Sequence, residues 1–220
     1  KRYNLTLKNN YEITDKFRVG VGIFGSENKS TSYLTDVNAQ TNIAKYSRNV
    51  NPYLTPYNAD GSYKYDRDVV GLSNGDYIPF NFLEERENTS NELKTRSVKA
   101  LLDAEYKVTK DLKVTSQLGL QLDNISSEKF AGAETYYTRT YKERSRYFSG
   151  GKQMYFLPTG GIIQNSNTDF FQYNLKTMVN YSKRIGEKHE IEAMIGNELR
   201  RNYNTYVSTK GFGFNDKTLT

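Results

Sequence analysis

From Ala100 to Leu122 the chain reads ALLDAEYKVTKDLKVTSQLGLQL. Apolar residues stand at Ala100, Leu102, Ala104, Tyr106 and Val108, and resume after a charged Lys110-Asp111 turn at Leu112, Val114, Leu118, Leu120 and Leu122. Asp103, Glu105, Lys107, Lys113, Gln117 and Gln121 fall between them. A period of two is the pleat of a β-strand, so the stretch predicts a hairpin with one apolar face. The pattern occurs twice more. Tyr3, Leu5, Leu7 and Tyr11 lead through Thr14-Asp15-Lys16 into Phe17, Val19, Val21 and Ile23. Phe171, Tyr173, Leu175, Val179 and Tyr181 lead through Ser182 to Lys188 into Ile191, Ala193, Ile195 and Leu199.

The predicted hairpins cover about 1–25, 95–123 and 169–200, six strands in all, each closed by a short Lys-bearing turn. The connections between them, about 26–94 and 124–168, are rich in Asn, Ser, Thr, Gly, Asp and Tyr and hold all four prolines. Compact soluble domains rarely carry structureless loops beyond ~12–15 residues. Strict alternation of short turn and long loop is instead the rule in outer-membrane barrels, with short turns on the periplasmic side and long loops outside. A tilted strand needs ~9–11 residues to cross the hydrocarbon, and the alternating runs have about that length. Tyr11, Tyr106 and Tyr181 sit beside the short turns, where an aromatic girdle belongs. The predicted fold is therefore all-β, an antiparallel up-and-down transmembrane β-barrel segment with long extracellular loops. Arg2, Thr6, Lys8, Arg18, Lys99, Asp103, Glu105, Gln117, Gln121, Gln172, Asn174, Lys176, Glu190, Glu192 and Glu198 take the opposite parity and would line a hydrated lumen.

Composition agrees with a chain that lacks a conventional core. Of its 220 residues 36% are hydrophobic, the mean hydropathy is −0.79, and 19 Tyr and 11 Phe carry much of the apolar surface. No run approaches the ~20 apolar residues of a spanning helix, which leaves strands as the means of crossing. The absence of Cys removes disulfides, thiolate zinc sites and thiol catalysis. A net charge of +6 is modest for a nucleic-acid binder, and no nucleic-acid partner is expected.

The candidate chemical motifs each have a plainer structural explanation. Gly20 to Gly25, GVGIFG, matches G-x-G-x-x-G but lies inside a strand with no helix after it, so Gly20 and Gly22 are expected to let another backbone or a plug approach closely. His189 is the one histidine and stands alone at a turn. Asp66 and Asp68, and Glu84, Glu85 and Glu87, could pair for acid–base work but are expected to be solvated loop charges. Asn58 to Ser62, NADGS, is a turn signature lacking the full spacing of a calcium loop. The Tyr- and Arg-rich run from Glu134 to Phe148 is expected in an extended outer strand or loop, with sugar or lipopolysaccharide contact as the second reading. No catalytic, cofactor-binding or metal residue is assigned, no cofactor is implied, and the substrate-binding residues are unknown.

The long alternating strands, the Lys-bearing turns, NPYLTPYNADGSY (Asn51 to Tyr63), LLDAEYKVTKDLKVTSQLGL and GNELRRNYNTYVSTKGFGF (Gly196 to Phe214) together resemble the barrel portion of SusC/RagA-type TonB-dependent transporters of Bacteroidota. The resemblance implies a barrel of about 22 strands around a plug, of which this chain is a piece without the plug. It implies a receptor in the cell outer membrane that imports a glycan or peptide with TonB energy and performs no enzymatic reaction. Its implied partners are a SusD-like surface lipoprotein, the TonB complex through an N-terminal region, lipid and lipopolysaccharide, and the remainder of the same barrel. The alternative class is a soluble or surface-attached β-rich carbohydrate-binding protein or adhesin, in which the apolar faces would pack on one another.

Overall fold

The computed structural model describes residues 1–34, 41–66, 77–186 and 189–215. In chain order the elements are β1 (Arg2–Thr14), β2 (Phe17–Ser32), α1 (Ile43–Asn49), α2 (Phe82–Glu87), β3 (Thr89–Lys107) and β4 (Leu112–Ala131). They are followed by α3 (Tyr136–Arg144), β5 (Arg146–Ser149), β6 (Lys152–Tyr155), β7 (Gly161–Ile185) and β8 (His189–Phe214). Six strands form one up-and-down antiparallel sheet in the order β1-β2-β3-β4-β7-β8, and β5 and β6 form a separate two-stranded ribbon. The large sheet is not closed: β1 and β8 lie at opposite ends of its order.

The register of the first pair follows the alternation. Leu7 faces Ile23 and Tyr11 faces Val19, while Lys8 faces Gly22 and Asn10 faces Gly20. A bulge between Glu12 and Thr14 absorbs the turn, where the Thr14 hydroxyl accepts the backbone N–H of Lys16 at 3.3 Å and of Phe17 at 3.0 Å.

The strands run much further than apolar alternation predicts. β2 continues to Ser32, β3 begins at Thr89, β4 reaches Ala131, β7 begins at Gly161 and β8 extends to Phe214. Backbone pairing needs no apolar residue, and Thr, Tyr and Val keep a strand extended where both faces are polar. Alternation therefore marks the stretch with one apolar face and is silent about the paired stretch beyond it.

The chain divides into two compact units. The first comprises Lys1–Lys29, Lys94–Ser126 and Asn167–Val207, and consists of sheet and short turns only. The second comprises Ser30–Leu93, Ser127–Ser166 and Ser208–Thr220, and contains the three helices and the β5–β6 ribbon.

The second unit has its own small core. Phe80 is fully buried, its ring meets Tyr46 edge-on at 5.0 Å and Tyr136 edge-on at 5.6 Å, and Val50, Leu54 and Phe82 pack around them. Asn81, also buried, caps α2 by accepting the N–H groups of Leu83 and Glu84, and its amide donates to the carbonyls of Pro56 and Lys64, both at 2.8 Å. One side chain thus terminates a helix and ties two loop strands to it, satisfying groups that burial would otherwise strand.

Replacing Phe80 with Ala should cost the second unit about 3–5 kcal/mol. Limited proteolysis should then cut within 41–66 and 132–160 at rates well above wild type, with the strands of the first unit still protected.

Candidate functional site

The first unit presents two chemically different faces. On one, Leu5, Leu7, Val98, Leu102, Leu122, Ile195 and Leu199 are exposed, and no other element of that unit covers them among the described residues. Leu7 is 54% exposed and Ile195 72%, values that no sandwich interior shows. The apolar faces of the three hairpins do not pack on one another; they are continuous within one sheet. Soluble monomers seldom expose apolar patches beyond a few hundred Å².

Both edges of this apolar belt are marked. On the side of the short turns stand Tyr11, Phe17 and Tyr106, the last two rings meeting edge-on at 6.3 Å. The turns themselves are tied together there: Lys107 donates its N–H to the carbonyl of Lys16, and Ser182 to that of Asp111. On the other side Tyr3 pairs with Glu27, Glu27 bridges to Arg96 at 2.9 Å and Lys94 at 3.6 Å, and Asn124 donates to Asp169 at 2.7 Å. Phe171 stacks on Tyr203 at 6.0 Å, and the guanidinium of Arg201 lies 4.8 Å from the Tyr203 ring centroid. Sequence alternation points only to the tyrosines beside the short turns. The second aromatic and polar row emerges from pairing, its sequence trace being the places where alternation breaks at Arg96, Asn124 and Asp169.

On β4 the belt runs from Leu112 to Leu122, ten residue steps or ~33 Å along the strand.

The opposite face carries the polar parity. Arg18 bridges to Glu12 at 2.8 Å, Gln117 donates to Asp103 at 2.6 Å, Lys113 lies 3.5 Å from Glu105, and Arg200 donates to Gln172 at 3.2 Å. Lys8 sits 5.2 Å over the Phe24 ring. Gly20 and Gly22 belong to this face, but their close neighbours are side chains of adjoining residues and not the backbone or plug expected. A Cβ on Gly20 would stand 2.8 Å from Asn10 Oδ1, and one on Gly22 would stand 3.1 Å from Phe24 Cε2. The gap at Gly20 belongs to a concavity of about 310 Å³ lined by Asn10, Arg18, Asp103, Gln117 and Lys176.

In the second unit the carboxylates differ from the solvated charges expected. Glu84 and Glu85 are buried on α2. Glu84 accepts from Arg139 at 3.2 Å and from the Tyr65 hydroxyl at 3.1 Å, while Glu85 accepts the backbone N–H of Tyr136 at the start of α3. Six residues hold both carboxyls because α2 is short, capped and wedged against the start of α3. The Glu134–Phe148 run is likewise not extended: it forms α3, capped by buried Thr135, followed by the strand Arg146–Ser149. Helical spacing brings Tyr137 and Tyr141 together, with both hydroxyls accepting from Lys210 Nζ, at 3.2 and 2.8 Å. These are clasps between segments far apart in sequence, built from neighbours that sequence spacing does not reveal.

The remaining candidates have structural places. Asp66 accepts the Tyr46 hydroxyl at 2.6 Å and pairs by backbone with Phe80; Asp68 lies outside the described residues. Glu87 accepts the Tyr63 hydroxyl at 2.7 Å, which pushes that phenol up to about 12. Asn58 to Ser62 is the turn its sequence announces, with Gly61 at φ +83°. His189 is exposed at the start of β8. Among the described residues no helix is long and apolar enough to cross a membrane, and no cluster of three His, Cys, Asp or Glu could hold a metal ion.

Burial raises Glu85 to about 7, against an ordinary value of 4.5, a difference worth about 3 kcal/mol. Between these values the folded unit binds a proton that the unfolded chain has released, so its stability falls as pH rises from 4.5 to 7. Glu85→Gln keeps an oxygen for the Tyr136 N–H and removes the charge. At pH 8 it should slow amide exchange at Tyr136 relative to wild type, and near pH 4.5 the two proteins should exchange alike.

No family description and no curated protein matches the chain. Among solved structures it is similar to a chain of the RagAB peptide importer in the "closed-closed" state, with a TM-score of 0.67 and 14% identity over 100% of this chain and 22% of that one. A structure of the RagAB peptide transporter matches at TM-score 0.67 and 16% identity, over 97% of this chain and 22% of the other. The chain thus spans about a fifth of the length of the chains it resembles, and the likeness is one of fold.

Proposed function

We propose that the chain is a section of an outer-membrane transport barrel that takes up a nutrient, glycan or peptide, driven by TonB. The observation that carries this reading is the belt: an uncovered apolar face with aromatic rings at both edges and a charged row at the edge away from the short turns; at the ~40° tilt of outer-membrane strands its ten residue steps would span ~25 Å, the thickness of the band on such barrels. Backbone groups in hydrocarbon must be paired, which further strands beyond β1 and β8 would accomplish. The polar face would then line a lumen wide enough for a plug, and the clasped loops of the second unit would belong to the external side. The RagAB likeness supports transport, and the two-component name of those structures supports a SusD-like lipoprotein as the kind of partner. In this reading the protein binds and passes its substrate without covalent chemistry.

The test is charge placed on the belt of the full-length protein. Leu7, Leu102 or Leu175 replaced by Arg should each cost about 2–4 kcal/mol near mid-belt and deplete folded protein from outer-membrane fractions. Asp103→Asn, on the other face, should leave insertion unchanged. Full-length protein recovered in the soluble fraction without detergent would favour the soluble binding protein instead.

A further inference from the structure

Across the middle of the polar face, one row of side chains leaves two opposite charges unmatched. Gln117 on β4 donates to Asp103 on β3 at 2.6 Å. On the other side of β4 the hydroxyls of Ser116 and Thr177 meet at 3.2 Å, so their neighbours Gln117 and Lys176 pair on the opposite face. Asp103, Gln117 and Lys176 therefore stand side by side on three strands, with Gly20 beside Asp103 on β2. All four line the concavity of about 310 Å³, a volume at the small end of ligand sites.

The charged groups of this lining are of two kinds. Arg18 is matched by Glu12 at 2.8 Å, and Glu105 by Lys113 at 3.5 Å. Asp103 receives only the neutral amide of Gln117, on Oδ1, and Lys176 has no partner among the described residues. Glu198, on the same face of neighbouring β8, lies outside the lining and makes no ion pair with Lys176. The second oxygen of Asp103, Oδ2, lies 3.6 Å from where a Gly20 Cβ would stand, so the missing side chain leaves it open. Two strand spacings put ~10 Å between the backbones of Asp103 and Lys176, with the Gln117 carboxamide between them.

An occupant must bring a cation to Asp103, an anion to Lys176, and hydrogen-bonding groups to Gln117. A neutral sugar offers hydroxyls and neither charge. A short peptide carries an ammonium at one end, a carboxylate at the other and a peptide group between, and two extended residues span ~7 Å, a length of the same order as that separation. On the reading of this face as the wall of a transport passage, we infer that the concavity binds a short peptide by its two free termini, the ammonium at Asp103 and the carboxylate at Lys176. Each contact is a charge-assisted hydrogen bond, the stronger kind. Asn10 adds a further carboxamide and Met178 an apolar contact. The end groups are common to all linear peptides, so the site selects unblocked ends in preference to particular side chains.

The experiment titrates full-length protein in mild detergent, by calorimetry, with alanylalanine, N-acetyl-alanylalanine, alanylalanine amide and maltose. Wild type should bind alanylalanine at least tenfold tighter than any of the other three. Asp103→Asn, whose amide oxygen can still accept from Gln117, should bind alanylalanine about tenfold more weakly and cease to distinguish the acetylated peptide, while still rejecting the amide. Lys176→Met should do the reverse, with heat-modifiable gel mobility showing all three proteins folded. Equal binding of blocked and unblocked peptides by wild type, a preference for maltose, or undiminished discrimination of both ends in either variant overturns the inference. Membrane-inserted protein that binds no alanylalanine overturns this site and leaves the transport reading standing. Full-length protein that is soluble without detergent yet keeps both end preferences supports the site and overturns the membrane reading.

Discussion

Every strand of the six-stranded sheet sends alternate side chains to opposite faces, and the rest of the protein depends on that two-residue period. The backbone is satisfied between strands, so the faces are free to differ in chemistry. Leu7 and Lys8 are neighbours in sequence and stand on opposite faces of the sheet. The same is true of Leu102 and Asp103, and of Leu175 and Lys176. A one-residue slip in register would exchange these environments completely. The bulge between Glu12 and Thr14 and the tight hydrogen bonds of the Thr14 turn hold the β1–β2 register against such a slip.

Burial in this chain is concentrated where the belt is absent. In the second unit Phe80, Tyr46 and Tyr136 form a core small enough that polar side chains share the work of holding it. Asn81 fastens two loop segments to α2, Glu84 pairs with Arg139, and Glu85 caps the start of α3. Buried ion pairs and caps of this kind contribute little net energy, but they penalise alternatives, because breaking one leaves a charge or an N–H unpaired. Long polar loops can acquire a fixed shape by this means where apolar area is scarce.

The edge of the belt is chemically distinct from its middle. Arg96, Asn124 and Asp169 continue the parity of the apolar face after its apolar residues stop. Aromatic rings sit at the same level because Tyr tolerates a boundary with one wet end. The outward face is therefore graded along each strand, and the steepest part of the gradient is one pleat wide.

Alternation alone determined the six long strands, the partition of residues such as Leu102 and Asp103 between two faces, and the tyrosines beside the short turns, since these are properties of a single strand and its period. The turn at Asn58 to Ser62 was legible for the same reason, being local. Only the tertiary structure decided how far the strands continue beyond the apolar stretch, because pairing partners supply what side-chain pattern does not. It also decided that Glu84 and Glu85 are buried, that Tyr136–Arg144 is helical, and that Arg96, Asn124 and Asp169 form one row. Each of these depends on groups far apart in sequence: Glu85 on the amide of Tyr136, Glu84 on Arg139, and Asn124 on Asp169. Periodicity carries information along a strand, whereas desolvation and hydrogen-bond partnership are fixed by whatever the fold places alongside it.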